Sequence, residues 1–219
     1  MKKFLPLLFV ALLASAVVSA QELRYGITGA LNFSHYDFSA GGLSLDTDSR
    51  LGFKAGFRME MDAPYINVGF YFDMEALLSS KGAKYDTAIE DGTASYTARP
   101  YYLEVPIHIG YKYMFGSSEW GVFASFGPYL GVGLFGSDKL SVNSSTEPVD
   151  TADIDTSPDS FSSETLKRFD FGLGLRAGVQ MFDHYRIYVG YDWGLINIAK
   201  MSQSKIHNRN FYVGAAYMF

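Results

Sequence analysis

Charge in this chain is confined to alternate residues of its long extended stretches. From 50 to 61, Leu51, Phe53, Ala55, Phe57, Met59 and Met61 alternate with Arg50, Gly52, Lys54, Gly56, Arg58 and Glu60. A period of two is the signature of a strand with two unlike faces, whereas a helix would scatter the same residues round a 3.6-residue turn. Eight stretches follow the rule and are predicted as strands: 24–34, 50–61, 65–79, 101–113, 120–135, 169–182, 186–197 and 210–219. Their apolar phase carries no charge, while the opposite phase carries thirteen, from Arg24 and Arg50 through Glu104 and Asp170 to Arg186 and Asp192.

The two faces also differ in bulk, and bulk decides which one looks outward. A packed interior must alternate large with small. The apolar phase is large along its whole length, whereas the polar phase mixes Gly52, Gly56, Gly110, Gly172, Gly190 and Gly214 with Tyr71, Tyr102, Tyr129, Tyr188 and Tyr212. A soluble calyx would put its apolar face inside. Here the polar face is the one built to fill a lumen, with tyrosines lying over glycines. The strands run to a dozen residues, enough to cross a bilayer at a tilt. A lone charge facing lipid at mid-depth costs about 2–4 kcal/mol, which accounts for its exclusion there. The expected fold is therefore all-β, an eight-stranded antiparallel up-and-down transmembrane barrel.

Connection lengths give the expected orientation. Those near Ala63-Pro64, 116–119 and 183–185 are short; those at 39–49, 82–99, 136–167 and 199–209 are long. Short periplasmic turns alternating with long outer loops are the pattern of an outer-membrane barrel, with both termini periplasmic. Residues 1–20, with Lys2-Lys3, an apolar run and Val18-Ser19-Ala20, read as a cleaved secretory signal, leaving 21–219 as one barrel domain. The net charge is −5, and −7 once Lys2 and Lys3 are removed, which argues against nucleic acid as a partner. With no cysteine, the chain can hold neither disulfide nor thiolate metal site nor cysteine nucleophile. The ending Gly214-Ala215-Ala216-Tyr217-Met218-Phe219 is similar to the signal by which the barrel-assembly machinery recognises its substrates, with Tyr217 and Phe219 as the contact residues.

The segments YLEVPIHIGYKY (102–113), FDMEALLSSKGAK (72–84), GPYLGVGL (127–134) and RFDFGLGLRAGVQM (168–181) occur in an order that resembles the outer-membrane β-barrel domain called porin-family or PorT-like. The resemblance implies an eight-stranded outer-membrane barrel, and in a subset of the family a role in protein secretion.

The inward charges and polar residues each have a structural use as well as a functional one. A two-residue turn at Ala63-Pro64 would set Lys54 opposite Asp73, and a three-residue turn at 183–185 would set Arg176 opposite Asp192, so the inward charges read as cross-strand pairs in a filled lumen. A narrow channel for ions or small solutes is the alternative. His108, Ser125 and Glu104 all point inward, but Glu104 lies about 13 Å along the strand from His108. No Ser–His hydrogen bond is expected from the register, and neither G-x-S-x-G nor H-E-x-x-H occurs. The segment 137–167 sets seven carboxylates against Lys139 and Lys167. Within it Asp153, Asp155, Ser157, Asp159 and Glu164 imitate a calcium-loop spacing, but Pro158 stands where the sharp turn needs glycine; a solvated loop is the preferred reading. Asn143-Ser144-Ser145 fits a glycosylation sequon by coincidence. The expectation is thus a monomeric, non-enzymatic barrel without cofactor or metal, whose partners are outer-membrane lipid, the assembly machinery and envelope or secretion proteins.

Overall fold

A computed structural model of the chain describes residues 23–40, 43–89, 92–116, 119–144, 160–161, 166–200 and 204–219. The expected signal segment, the calcium-like spacing and Ser145 of the sequon lie outside these residues. Ten strands form one antiparallel sheet: β1 (Leu23–Ala40), β2 (Leu43–Asp46), β3 (Arg50–Asp62), β4 (Phe70–Ser80), β5 (Ala83–Ile89), β6 (Gly92–Met114), β7 (Trp120–Ser144), β8 (Phe169–Met181), β9 (Tyr185–Gly194) and β10 (Ser204–Met218). Eight of them, all but β2 and β5, make a ring that closes through β1 and β10, from Gly26 with Met218 to Ala40 with Ser204. Closure leaves no unpaired edge across an apolar solvent, which is why only closed sheets can span one.

Partner follows partner round the wall from Leu23 through Met61, Phe72, Ile109, Phe126, Leu175, Tyr191 and Phe211, and returns to β1 at Phe33, ten residues beyond the start. Eight strands with that stagger tilt by roughly 40° and enclose a space that side chains can fill. The inside/outside alternation is as expected round the wall, broken where Leu134 and Phe135 of β7 are both exposed. Leu31, Leu51, Phe57, Phe126, Ile187 and Val213 are exposed, Phe57 at 72%. Together they form an unbroken apolar belt round the barrel. Tyr25, Tyr111, Tyr113, Trp120, Tyr185 and Tyr217 are exposed toward the short-turn end, and Phe33, Phe135, Phe169 and Trp193 toward the long-loop end.

Two registers differ from expectation. The first hairpin turns through Ala63–Gly69 rather than two residues, with Ala63 N donating to Phe70 O, Ile66 N to Ala63 O and Phe70 N to Asn67 O. Two-residue hairpin loops need positive φ at their first central residue. Ala63 resists that conformation, Pro64 cannot adopt it, and Gly69 takes the positive φ instead, at 96°. Glu60 therefore faces Asp73, Arg58 faces Glu75, and Lys54 faces Ser79, not Asp73. The hairpin between β8 and β9 turns one residue earlier than expected, through Phe182, Asp183 and His184, with Phe182 and Asp183 at φ 52° and 56°. Arg176 then faces Gly190, and Asp192 faces Gly174.

The long connections are also less loop-like than expected. β5 pairs with the start of β6, and β6 with the end of β7, so three strands run on as a blade past the long-loop end of the ring. A bulge between Tyr101 and Tyr102 marks where the blade leaves the wall.

Candidate functional site

The inward faces converge on a lumen packed with charge and aromatic rings. Toward the short-turn end, Lys112 bridges Asp62 and Glu60, the latter at 3.1 Å. Arg186 grips both oxygens of Glu60 and donates from Nε to Gln180 Oε1. One step higher, Arg58 meets Asp73 at 2.8 Å and Glu75 at 3.3 Å, and Arg176 reaches across the barrel to place its fork on Glu75 at 2.6 and 2.8 Å. Higher still, Lys54 bridges Glu104, at 2.6 Å, and Asp192, while Lys81 bridges Glu104 at 2.7 Å and Asp170 at 3.1 Å. Asp170 Oδ2 accepts in addition from Tyr129 Oη and Asn208 Nδ2.

These groups are buried, apart from Lys112 and Asp62, which are partly open at the mouth. Leaving aside Asp62 at the mouth, Lys54, Arg58, Lys81, Lys112, Arg176 and Arg186 balance Glu60, Asp73, Glu75, Glu104, Asp170 and Asp192 one for one. Balance matters because a buried charge without a partner costs several kcal/mol. Lys54 and Asp73 share the inward face but are not a pair, and the same holds for Arg176 and Asp192: Asp73 pairs with Arg58 of neighbouring β3, and the other three find partners on strands they do not hydrogen-bond.

Glycines make room for the rings that fill the remaining space. A Cβ at Gly110 would sit 2.3 Å from the Tyr71 ring, at Gly190 2.3 Å from Tyr212, at Gly172 2.6 Å from Tyr129 and at Gly214 2.7 Å from Tyr188. The cations lie over the same rings: Lys54 over Tyr212 at 4.4 Å, Lys81 over Tyr129 at 4.3 Å and Arg176 over Tyr188 at 4.8 Å. Each tyrosine thus covers a glycine on one side and meets a cation on the other.

The two ends differ. At the long-loop end an apolar cluster of Tyr36, Ala83, Ala98, Tyr102, Phe161, Leu166 and Ile198 caps the charges. Phe161 packs edge-on against Tyr102 at 5.4 Å and lies directly over Gly133, while Ser160 Oγ donates to Asp138 Oδ1 at 2.6 Å. Part of the segment expected to be solvated is therefore folded into the mouth. At the short-turn end a cavity of about 530 Å³ opens among Arg24, Asp62, Lys112, Gln180, Asp183 and His184.

His108 and Ser125 come closer than the expected register allowed, correcting that reading: Ser125 Oγ lies 3.4 Å from His108 Nδ1. Asp73 Oδ1 lies 3.9 Å from the same nitrogen. A nucleophilic relay needs the hydroxyl on one ring nitrogen and the carboxylate on the other. Here both address Nδ1, and buried Nε2 has no partner among the described residues. Glu104 is engaged by Lys54 and Lys81, not by the imidazole.

Sequence reasoning missed Lys81, Asn208 and the plug residue Phe161. Lys81 continues the inward phase of β4 one step past Ser79, and following that phase beyond Ser79 would have found it. No comparable signal marks Phe161, which arrives from an irregular segment.

Comparison with known proteins gives two kinds of match. Residues 19–200 match a family model described as the outer membrane protein beta-barrel domain. Among solved structures the chain is similar to Neisserial surface protein A, at 14% identity over 92% of this chain and 100% of that one, with a TM-score of 0.44. It is similar also to OprG of Pseudomonas aeruginosa, at 14% identity over 91% and 95%, TM-score 0.42, and to Ail of Yersinia pestis in complex with the heparin analogue sucrose octasulfate, at 14% over 90% and 99%, TM-score 0.41. No curated protein sequence matches the chain.

Proposed function

Because the chain belongs to the outer membrane protein β-barrel family, we propose that it is a non-enzymatic barrel with a closed lumen, acting through its outer surface. The observation that carries this reading is the filling of the lumen. Six cations and six carboxylates bond one another across it, rings occupy the space between them, and Phe161 stops the long-loop end. In this reading the short turns and both termini are periplasmic, and the β5–β6–β7 blade stands outside the cell. The blade and long loops are then the contact surface for envelope partners, including the secretion proteins that the PorT-like resemblance implies. Tyr217 and Phe219 are exposed on the apolar belt and serve as the contact for the assembly machinery.

One observation supports a narrow channel as the second reading. Tyr71 Oη, Asp73 Oδ1, His108 Nε2 and Asp170 Oδ1 are buried without a protein partner among the described residues. Such groups usually bind water, and a file of water past them would join the cavity at the short-turn end to the plug. Planar-bilayer recording separates the two. The closed barrel gives no steady single-channel current, and stepwise conductance by wild-type protein would replace it with the channel. The relay geometry supports no hydrolase reading; ester or amide hydrolysis lost on Ser125→Ala would reverse that.

A further inference from the structure

The lumen charges that balance in total do not balance layer by layer. In the layer nearest the long-loop end, Asp192, Lys54, Glu104, Lys81 and Asp170 form one alternating row, joined by the ion pairs of the two lysines. The row begins and ends on a carboxylate. Lys54 and Lys81 are the cations within ion-pair reach of its three carboxylates among the described residues, so it lacks one positive charge. The opposite excess lies toward the short-turn end, where Lys112 joins Arg58, Arg176 and Arg186 against Glu60, Asp73 and Glu75. There Asp62 meets Lys112 at the open mouth.

All five members of the row are buried, beneath the apolar cluster that closes the long-loop end. Arg50, partly exposed at the start of β3, donates from Nη1 to Ser80 Oγ and Lys81 O at 3.1 and 2.7 Å. Arg168 is exposed, its guanidinium 5.1 Å from the centre of the Phe161 ring. Solvent at the mouth screens whatever surplus remains at the short-turn end. The sealed row has no such recourse, and an uncompensated buried charge is strongly disfavoured.

The two ends of the row have different neighbours. At the Asp192 end these include nitrogens without a partner among the described residues: Asn210 Nδ2, on the register partner of Asp192, and His108 Nε2. Asp192 Oδ1 and His108 Nε2 lie 2.8 and 2.9 Å from where a Gly174 Cβ would sit. At the Asp170 end the unpartnered atoms are oxygens. Asp170 Oδ2 takes Lys81, Tyr129 and Asn208 Nδ2, which leaves Asp170 Oδ1 and Asn208 Oδ1 without partners. Tyr36 is the register partner of Asn208. Tyr102 belongs to the same packed cluster as Tyr36 and flanks Gly131 together with Asp170. Both hydroxyls are buried and unpartnered as well. Four oxygens from β1, β6, β8 and β10 thus gather at the end of a row that is one positive charge short.

We propose that Asp170 Oδ1, Asn208 Oδ1 and the hydroxyls of Tyr36 and Tyr102 hold one monovalent alkali-metal cation. Oxygen donors select a hard cation. The row sets its charge: one positive charge completes the alternation, whereas a divalent ion would leave it unbalanced in the other direction. Water would bond the same oxygens without supplying the missing charge. The site rests on the closed-lumen reading, because only a layer cut off from solvent needs its compensating charge fixed in place.

The test is urea unfolding of the refolded barrel in neutral detergent, followed by tryptophan emission. Sodium or potassium chloride replaces choline chloride at constant ionic strength. A cation bound by the native state alone raises the folding constant about tenfold at ten times its half-saturating concentration. Sodium or potassium should therefore raise the urea midpoint saturably, and choline should not. Tyr36→Phe/Tyr102→Phe removes two ligand oxygens at nearly constant volume and should move half-saturation upward by at least about tenfold. Asp170→Asn should abolish the effect. Thallium(I) soaked into wild-type crystals should give an anomalous peak beside Asp170 Oδ1, a readout that needs no variant. Equal midpoints in all three salts without that peak would overturn the site and leave a proton, on His108 or Asp170, as the compensating charge. Calcium preferred to sodium, or an unaltered titration in the Phe and Asn variants, would overturn it too. Stepwise current in a planar bilayer would remove the closed lumen and the site together, whereas a silent bilayer without alkali-ion dependence would overturn the site alone.

Discussion

Replacing Lys54 by Met should destabilise the barrel by about 3–5 kcal/mol, because the lumen holds its charges in pairs that water cannot replace. Lys54 is 5% exposed and bridges Glu104 and Asp192, from strands on either side of the lumen. At an effective dielectric of about 20, a pair at roughly 3 Å is worth about 5 kcal/mol before desolvation is deducted. The two carboxylates do not lose equally. Glu104 keeps Lys81 at 2.7 Å, whereas Asp192 has no other cation within ion-pair reach among the described residues. The deficit should therefore be traceable to Asp192. Met keeps the volume of the lysine stem above the Tyr212 ring, so packing changes little. The assay is urea unfolding from micelles or thin vesicles followed by tryptophan emission, with the slope against denaturant checked for constancy. Lys54→Met should lower the midpoint at constant slope, and Lys54→Met/Asp192→Leu should recover most of the loss. A single-variant loss below about 1 kcal/mol, or a double variant no better than the single, would refute the dry-lumen argument and mean that water screens these charges.

The other expectations concern packing and the plug. Gly110→Ala puts a methyl 2.3 Å from the Tyr71 ring and should cost about 1–3 kcal/mol in the same assay. Gly29→Ala, whose nearest neighbour is 3.9 Å away, should stay within about 0.5 kcal/mol. Phe161→Ala removes the ring that lies over Gly133 and against Tyr102. Trypsin should then cut after Lys167 or Arg168 several-fold faster, read by mass spectrometry of the nicked barrel, while the bilayer stays silent because the Lys81–Asp170–Tyr129 layer beneath is intact.

Why the faces were legible and the registers were not follows from how each is encoded. A face is a matter of parity. Outward residues from Tyr25 to Phe219 follow from alternation, apart from Phe135 at the bulge, and a sliding error of two residues leaves them unchanged. Register depends on turn geometry. The Ala63-Pro64 hairpin was expected to close in two residues, although neither can readily take the positive φ that such a turn demands. Both registers moved by an even number of residues, since an odd shift would have turned Arg58 or Arg176 toward lipid. The lumen's composition survived both errors, and so did the seating of Tyr71, Tyr129, Tyr188 and Tyr212 over glycines. The identity of the ion pairs did not survive.

Even a correct set of hairpins would have left those pairs obscure. Arg176 meets Glu75, and Lys54 meets Asp192, between strands that share no hydrogen bond. Such contacts are set by the number of strands and the ten-residue stagger together, because these fix the width of the lumen and the height at which opposite walls face each other. Neither quantity is carried by any one hairpin. What a local reading does retain is a constraint on the sum: a lumen too narrow for bulk water must hold cations and carboxylates in equal number. Lys81 bears this out. Without it the network from Glu60 to Asp192 holds five cations against six carboxylates, and the sixth cation lies one inward step beyond Ser79, just past the end of β4. Balance within that network predicts that Lys81→Met and Asp170→Leu, each destabilising alone, should be far less so together.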